Sequence, residues 1–520
     1  MKKISILDTT LRDGTQGVGV NFTLNDKIEI AHALDNAGVD YIEGGFPLAS
    51  KREADFFKIT SSEKFINAKI AAFGSTRKPG INVKDDDNIK ALLNANSPAV
   101  VVVGKSWDKH VTDVIQTSLD ENLRMIEESI KFLVSEGREV IFDLEHFFDG
   151  YKDNKDYALR TLELASDVGA KHLVLCDTNG GTLPLEVKSI IESLPLSKLA
   201  TIGVHFHNDT GCAVANSIIA VQAGAGHVQG TINGWGERCG NANLCTIIPN
   251  LALKLNYDLT MTPNLKKLTH LSRYIAEKAN IIPEKNQPYV GTAAFGHKAG
   301  QHADVILKAP HLMEHIEGGK VGNERQILLS ELAGKSTIID KMNKFGSYDK
   351  SSDEVIDLFN ILKEKEGEGF EYESAEASFE LLMYKALKKY KPLFELNNYH
   401  LETYKTWGLE SKTVGRIFLK CGGKEYMGAG VGVGPVGTLD QAIRDALSTI
   451  YPFLDKMTLI DYKVRVLNPE DATDAKVRVF ISSTDGDKDW ETVGVSENII
   501  EASWLALIDS MEYYYNTYIL

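Results

Sequence analysis

The feature that most constrains this chain is the regular alternation in its first half. Short apolar, β-branched runs are each followed by a stretch of helical periodicity. The runs are Ile4 to Thr10, Tyr41 to Phe46, Lys69 to Gly74 and Ala99 to Lys105. They continue as Glu139 to His146, His172 to Thr178, Thr201 to Asn208 and His227 to Asn233. Amphipathic stretches follow them, among them Asn25 to Ala37, Leu123 to Ser135, Tyr157 to Asp167 and Ala213 to Ala223. Strands that alternate with helices pair in parallel, because each helix carries the chain back along the sheet. Eight such units within roughly 255 residues match the size of a (β/α)8 TIM barrel. A doubly wound open sheet is the competing α/β arrangement.

The pattern stops near Leu255, and 520 residues exceed one ordinary core. The reading divides the chain into a barrel at 1–260, helical linker subdomains at 261–400 and a C-terminal α+β domain at 401–520. Asp353 to Glu373 reads as an exposed charged helix and turn. Gly415 to Lys420, Leu459 to Leu467 and Ala475 to Ser482 read as strands, and Gln441 to Ile450 and Ile500 to Tyr514 as helices. No long-period repeat stands out. A net charge of −15 argues against nucleic-acid or anionic-membrane partners, which need a basic field. No apolar run reaches membrane-spanning length, and the N-terminus lacks the apolar segment of a signal peptide. Five cysteines without a CxxC pair suit a reducing cytoplasm.

A TIM barrel does its chemistry at the C-terminal ends of its strands. After the first strand comes Leu11-Arg12-Asp13-Gly14-Thr15-Gln16. The seventh ends in His205-Phe206-His207-Asn208-Asp209, where alternation puts both histidines on one face. After the eighth comes Gly236-Glu237-Arg238-Cys239-Gly240-Asn241, a glycine-rich loop opening a helix. Two imidazoles and a carboxylate make a natural site for a divalent metal, and Asn241 offers a further neutral oxygen. Such a metal acts as a Lewis acid on a keto group, and Arg12 beside it suits a developing alkoxide. Each residue also has a plainer reading: a helix-capping Asp13, a surface Arg–Asp pair, packed histidines.

These three segments, in this order, resemble the family of 2-isopropylmalate, homocitrate and citramalate synthases, and the likeness covers essentially the whole chain. The resemblance implies that Asp13, His205, His207 and Asn241 hold a divalent metal (Mg, Mn or Zn). It implies that Arg12 and Gln16 face the 2-oxo acid, with Thr178 as a substrate-binding hydroxyl. Glu145, at the end of the fifth strand, is placed near the acetyl thioester as a base. Apolar Leu144, Phe147 and Phe148 nearby suit a carboxyl that must take up a proton. The segment Phe295 to Asp304 resembles the family's linker motif. There His302 is a catalytic group given across a domain-swapped dimer, and Asp304 is set to orient it. Many relatives carry a tyrosine where Met313 stands here.

The run Glu145-His146-Phe147-Phe148-Asp149-Gly150-Tyr151 resembles the pyruvate-using branch of the family. The implied reaction joins acetyl-CoA to pyruvate and hydrolyses the thioester. Leu175 and Phe73 are candidates for the wall of a small oxo-acid pocket. Gly428 to Asp440 is a glycine-rich stretch running into a helix, suited either to an anion or to a simple turn. It resembles the family's regulatory domain, which implies a homodimer and an amino-acid effector, with isoleucine expected. The rivals are the same condensation with 2-oxoisovalerate, an acyl-CoA lyase on the same barrel, and a non-catalytic sensor.

Overall fold

The computed structural model describes residues 2–297, 305–306, 309–327, 335–343, 345–349, 351–372, 374–405, 407–408, 410–467 and 475–520. The chain divides into two compact units, one of 1–295 with 316–325, the other of 296–315 with 326–520.

In the first unit eight parallel strands close into a barrel. They are β1 Ser5–Asp8, β2 Tyr41–Gly45, β3 Lys69–Ser75, β4 Ala99–Lys105, β5 Glu139–Glu145, β6 His172–Asp177, β7 Thr201–Phe206 and β8 His227–Gly230. Closure rests on β1 and β8, which pair from Ser5–His227 to Asp8–Gly230. That pairing rules out the open sheet, which would leave two edges.

Helices begin where the sequence supplies caps. Thr23 and Asp26 form a reciprocal capping box at the start of Leu24–Ala37, and Gly38 ends that helix with φ 98°. The strands then divide their side chains between two cores. Outward residues such as Val102, Phe142, Leu144, Leu175, Val204 and Phe206 pack with the apolar helix faces. Inward residues such as Leu7, Ala71, Val101, Ile141, Val174 and Cys176 fill the barrel, with Phe73 against them. Leu175 therefore faces the helices and cannot wall a pocket; strand alternation gives that place to Cys176. A polar layer caps the apolar filling: Glu43, Asp143, His205 and Gln229 are all buried.

In the second unit β9 Gly296–His297 pairs with β10 Gln326–Ile327. Helices Lys335–Met342, Asp353–Glu368 and Glu376–Ala386 follow. Then a three-stranded antiparallel sheet, β11 Glu395–Tyr404, β12 Lys412–Cys421 and β13 Lys424–Gly432, leads into helix Pro435–Leu447. The arrangement recurs with β14 Thr458–Val466, β15 Val477–Thr484, β16 Asp489–Ser496 and helix Ile499–Tyr514. The structure thus holds a βββα repeat that the sequence does not display. Residues of both halves join one core, including Ile417, Leu439, Ile443, Ile481, Trp490 and Leu507. What the halves share is a glycine under the helix. A Cβ on Gly428 would lie 2.0 Å from the Ala442 carbonyl oxygen, and one on Gly494 would lie 2.0 Å from that of Ala502. Gly428, Gly430 and Gly432, within or at the end of β13, therefore serve close helix–strand packing, while Gly434 and Gly437 at the start of the helix have open space beside them. No helix among the described residues is long and apolar enough to cross a membrane.

Candidate active site

The loop after β8 is sewn to the end of β7. Asn208 N–H donates to Gly240 O at 2.9 Å, Ala242 N–H to Phe206 O at 2.9 Å, and His207 forms an antiparallel bridge with Asn241. The loop must fold tightly to do this. Gly240 has φ 87°, and a Cβ on Gly236 would lie 2.4 Å from the Asn241 amide nitrogen. The result brings Asp13, His205, His207 and Asn241 together from three separate loops and strand ends. Asp13, His205 and His207 each offer a ligand atom within 4.8 Å of the others. His205 Nε2 lies 3.2 Å from Asp13 Oδ2, and Asn241 Nδ2 donates to the same oxygen at 3.0 Å.

The donor set fits a divalent ion. Asn241 Oδ1 and His207 Nδ1 are buried without a hydrogen-bond partner, an expensive state unless a ligand completes them. Burial, helped by the neighbouring His205, lowers His207 to about 4, so the neutral ring keeps one nitrogen lone pair available. Burial opposes the charge on Asp13, but Arg12 and His205 outweigh it and hold the carboxyl well below the usual range. A second layer orients the first. His205 Nδ1–H donates to Gln229 Oε1 at 2.8 Å, and Gln229 Nε2 donates to Asp143 Oδ1 at 2.9 Å. Gln229 has its amide oxygen committed to His205, which leaves His205 Nε2 to face Asp13.

Arg12 is clamped on three sides. Its Nε donates to Glu43 Oε2 at 2.7 Å, its Nη1 to Asp13 Oδ1 at 3.2 Å, and its guanidinium lies 4.0 Å from the centre of the Phe73 ring. Burial pushes the Glu43 carboxyl up while Arg12 draws it back. This clamp holds the guanidinium in one place and leaves Nη2 without a hydrogen-bond partner among the described residues.

At the end of β5, Glu145 faces inward. Leu144, Phe147 and Phe148 belong to the outer core, so they do not surround its carboxyl. An ion pair with Lys105 does. Thr178 accepts a hydrogen bond from His146 N–H at 3.0 Å and keeps its own hydroxyl proton to donate; Arg238 holds its carbonyl at 2.8 Å. Gln16 ends a short 3-10 turn and is exposed. His302 and Asp304 lie outside the described residues. Met313 closes the 3-10 turn Pro310–Leu312 in the second unit. Sequence reading missed Glu43, Lys105, Asp143 and Gln229. The signal for them was a charged or amide side chain at inward parity within an otherwise apolar strand.

Comparison with known proteins covers nearly every residue. The HMGL-like family model matches 3–275, the homocitrate synthase post-HMGL domain-like model 289–368, and the LeuA allosteric (dimerisation) domain 373–515. An (R)-citramalate synthase of Aquifex aeolicus is 50% identical over 98% of both chains. One of Geobacter sulfurreducens is 46% identical over 99% of this chain and 98% of its own. A probable 2-isopropylmalate synthase of Methanopyrus kandleri is more distant, at 30% over 97% of both. Agreement of this extent, on a barrel with this strand-end chemistry, makes the chain a member of the 2-isopropylmalate and homocitrate synthase family.

Proposed function

We propose that this chain condenses acetyl-CoA with pyruvate and hydrolyses the thioester, releasing (R)-citramalate and CoA. The observation that carries the reading is the convergence of Asp13, His205, His207 and Asn241 beside the clamped Arg12. Near-full-length likeness to (R)-citramalate synthases, at 43–50% identity for five of them, selects pyruvate over larger oxo acids.

Asp13, His205, His207 and Asn241 would hold a magnesium, manganese or zinc ion. Bound there, it supplies Lewis acidity to a 2-oxo acid's keto group. Phe73 walls the oxo-acid pocket, and Gln16 and the Thr178 hydroxyl bind its polar groups. Glu145 takes a proton from the acetyl methyl group. The carbon so freed attacks the keto carbon, and the keto oxygen gains the electron pair of its double bond. Arg12 donates to that oxygen as its charge grows. His302, oriented by Asp304, assists Glu145 in removing the methyl proton. Water then cleaves the thioester, which makes the sequence effectively irreversible.

The second unit supports a homodimer with feedback control. The face of its first sheet turned away from the helix exposes Phe418 beside Met427 and Val414 beside Val431. Isoleucine is the effector proposed for it.

The test is thiol release from acetyl-CoA with Mg²⁺ or Mn²⁺, run in parallel with pyruvate, 2-oxoisovalerate and 2-oxoglutarate. Release with pyruvate alone is expected. Faster release with 2-oxoisovalerate would move the assignment to isopropylmalate synthesis.

A further inference from the structure

An acetyl thioester is a weak carbon acid, so a base alone is not enough: the charge that arrives on the thioester oxygen also needs a partner. Arg12, held by Asp13, Glu43 and Phe73, is already assigned to the keto oxygen of the other substrate. The other cation at the barrel mouth with a direct link to the base is Lys105.

Its position follows from the sheet. Strands β4 and β5 run in register from Ala99–Glu139 to Lys105–Glu145. Lys105 shares the inward parity of Val101, and Glu145 that of Ile141, both of which fill the barrel. Parallel neighbours in register stand about 4.8 Å apart, so the backbone itself sets the two side chains side by side. The side chains are only 22% and 23% exposed, which separates this pair from an ordinary rim salt bridge. The loop beyond is pinned as well. Ser106 Oγ donates to Glu145 O at 2.7 Å, and Asn122 Nδ2 donates to Lys105 O at 2.9 Å. Both residues belong to the same mouth as the metal-ligand cluster. They end β4 and β5, and His205 stands at the same end of β7 in the closed barrel.

We infer that Lys105 is a catalytic residue whose ammonium donates to the thioester oxygen of acetyl-CoA and stabilises the enolate. The inference rests on the reading of Glu145 as the base. In the step, the methyl C–H bond breaks and a Glu145 carboxyl O–H bond forms. The C–H electron pair becomes the carbon–carbon double bond, and the carbonyl π pair moves onto oxygen. Negative charge therefore leaves Glu145 and appears on the enolate oxygen. An ammonium beside both faces an anion before and after the transfer. Of its three N–H groups, one pairs with Glu145 and the others remain for the thioester.

The test uses the full-length enzyme with Mg²⁺. Lys105→Met is expected to lower kcat about 10²–10³-fold, the scale of losing one oxyanion donor. The KM for pyruvate should change little, and methyl-deuterated acetyl-CoA should show an increased isotope effect. Lys105→Arg should recover part of the rate. Calorimetry with acetyl-CoA and with pyruvate separates catalysis from binding, and Lys105→Gln replaces the Met variant should that one not fold. Lost turnover with both substrates still bound supports the inference. A kcat within a few-fold of wild type overturns it, and so does loss of substrate binding together with turnover. The underlying reading fails by a different route: Glu145→Gln would then keep full activity, whatever Lys105 does.

Discussion

At the scale of single residues, the site is a set of inward side chains whose partners come from other strands. Gln229 shows what that costs when disturbed. Its amide is the acceptor that fixes the His205 ring. Gln229→Leu should weaken Mg²⁺ or Mn²⁺ binding about 10–100-fold, with the fold retained, as read by a metal titration. Asp143, below it, is raised to about 7 by burial. A carboxyl raised above its unfolded value lends stability below about pH 4 and loses it as pH climbs through about 7. Asp143→Asn has no such loss. In EDTA-treated protein its unfolding free energy should gain on wild type by on the order of 1–4 kcal/mol between pH 5 and pH 8. Parallel stability curves would show that Asp143 is ionised in the folded state throughout that range, its carboxyl not raised. The convergence of Asp13, His205, His207 and Asn241 was legible because motif and strand-end position both announce it. Lys105, Glu43 and Gln229 were not, because their meaning depends on register between strands distant in sequence.

At the scale of elements, the eight barrel strands were legible because buried parallel strands are short, β-branched and separated by amphipathic helices. Periodicity located their ends within three residues. It could not tell which face of a strand points inward, and so it misplaced Leu175. The glycine-rich stretch was ambiguous for a similar reason: a glycine needed for close packing looks like one needed for a ligand. The two uses can be told apart. Gly428→Ala should destabilise the second unit by about 1–3 kcal/mol through overpacking against the Ala442 carbonyl, seen as a lower Tm. An anion cradle would instead tolerate the methyl group with its Tm unchanged.

At the scale of the whole molecule, the metal-ligand cluster lies in the first compact unit and the match to the LeuA allosteric (dimerisation) domain in the second. If isoleucine is the effector, it should inhibit thiol release by the full chain and raise its Tm, while leucine and valine at equal concentration should do less. Equal inhibition by all three would remove isoleucine from that role. The repeat was invisible in the sequence because its two copies share topology and a glycine under the helix rather than a run of residues. That glycine limits how the unit can move. At Gly428, Gly430 and Gly494 the helix backbone comes so close that a Cβ on the strand would meet its carbonyl oxygens. Sliding the helix two residues along β13 would drive its carbonyls into Tyr426. Each sheet and its helix therefore behave like meshed gear teeth: one cannot slide along the other without the seam between them opening.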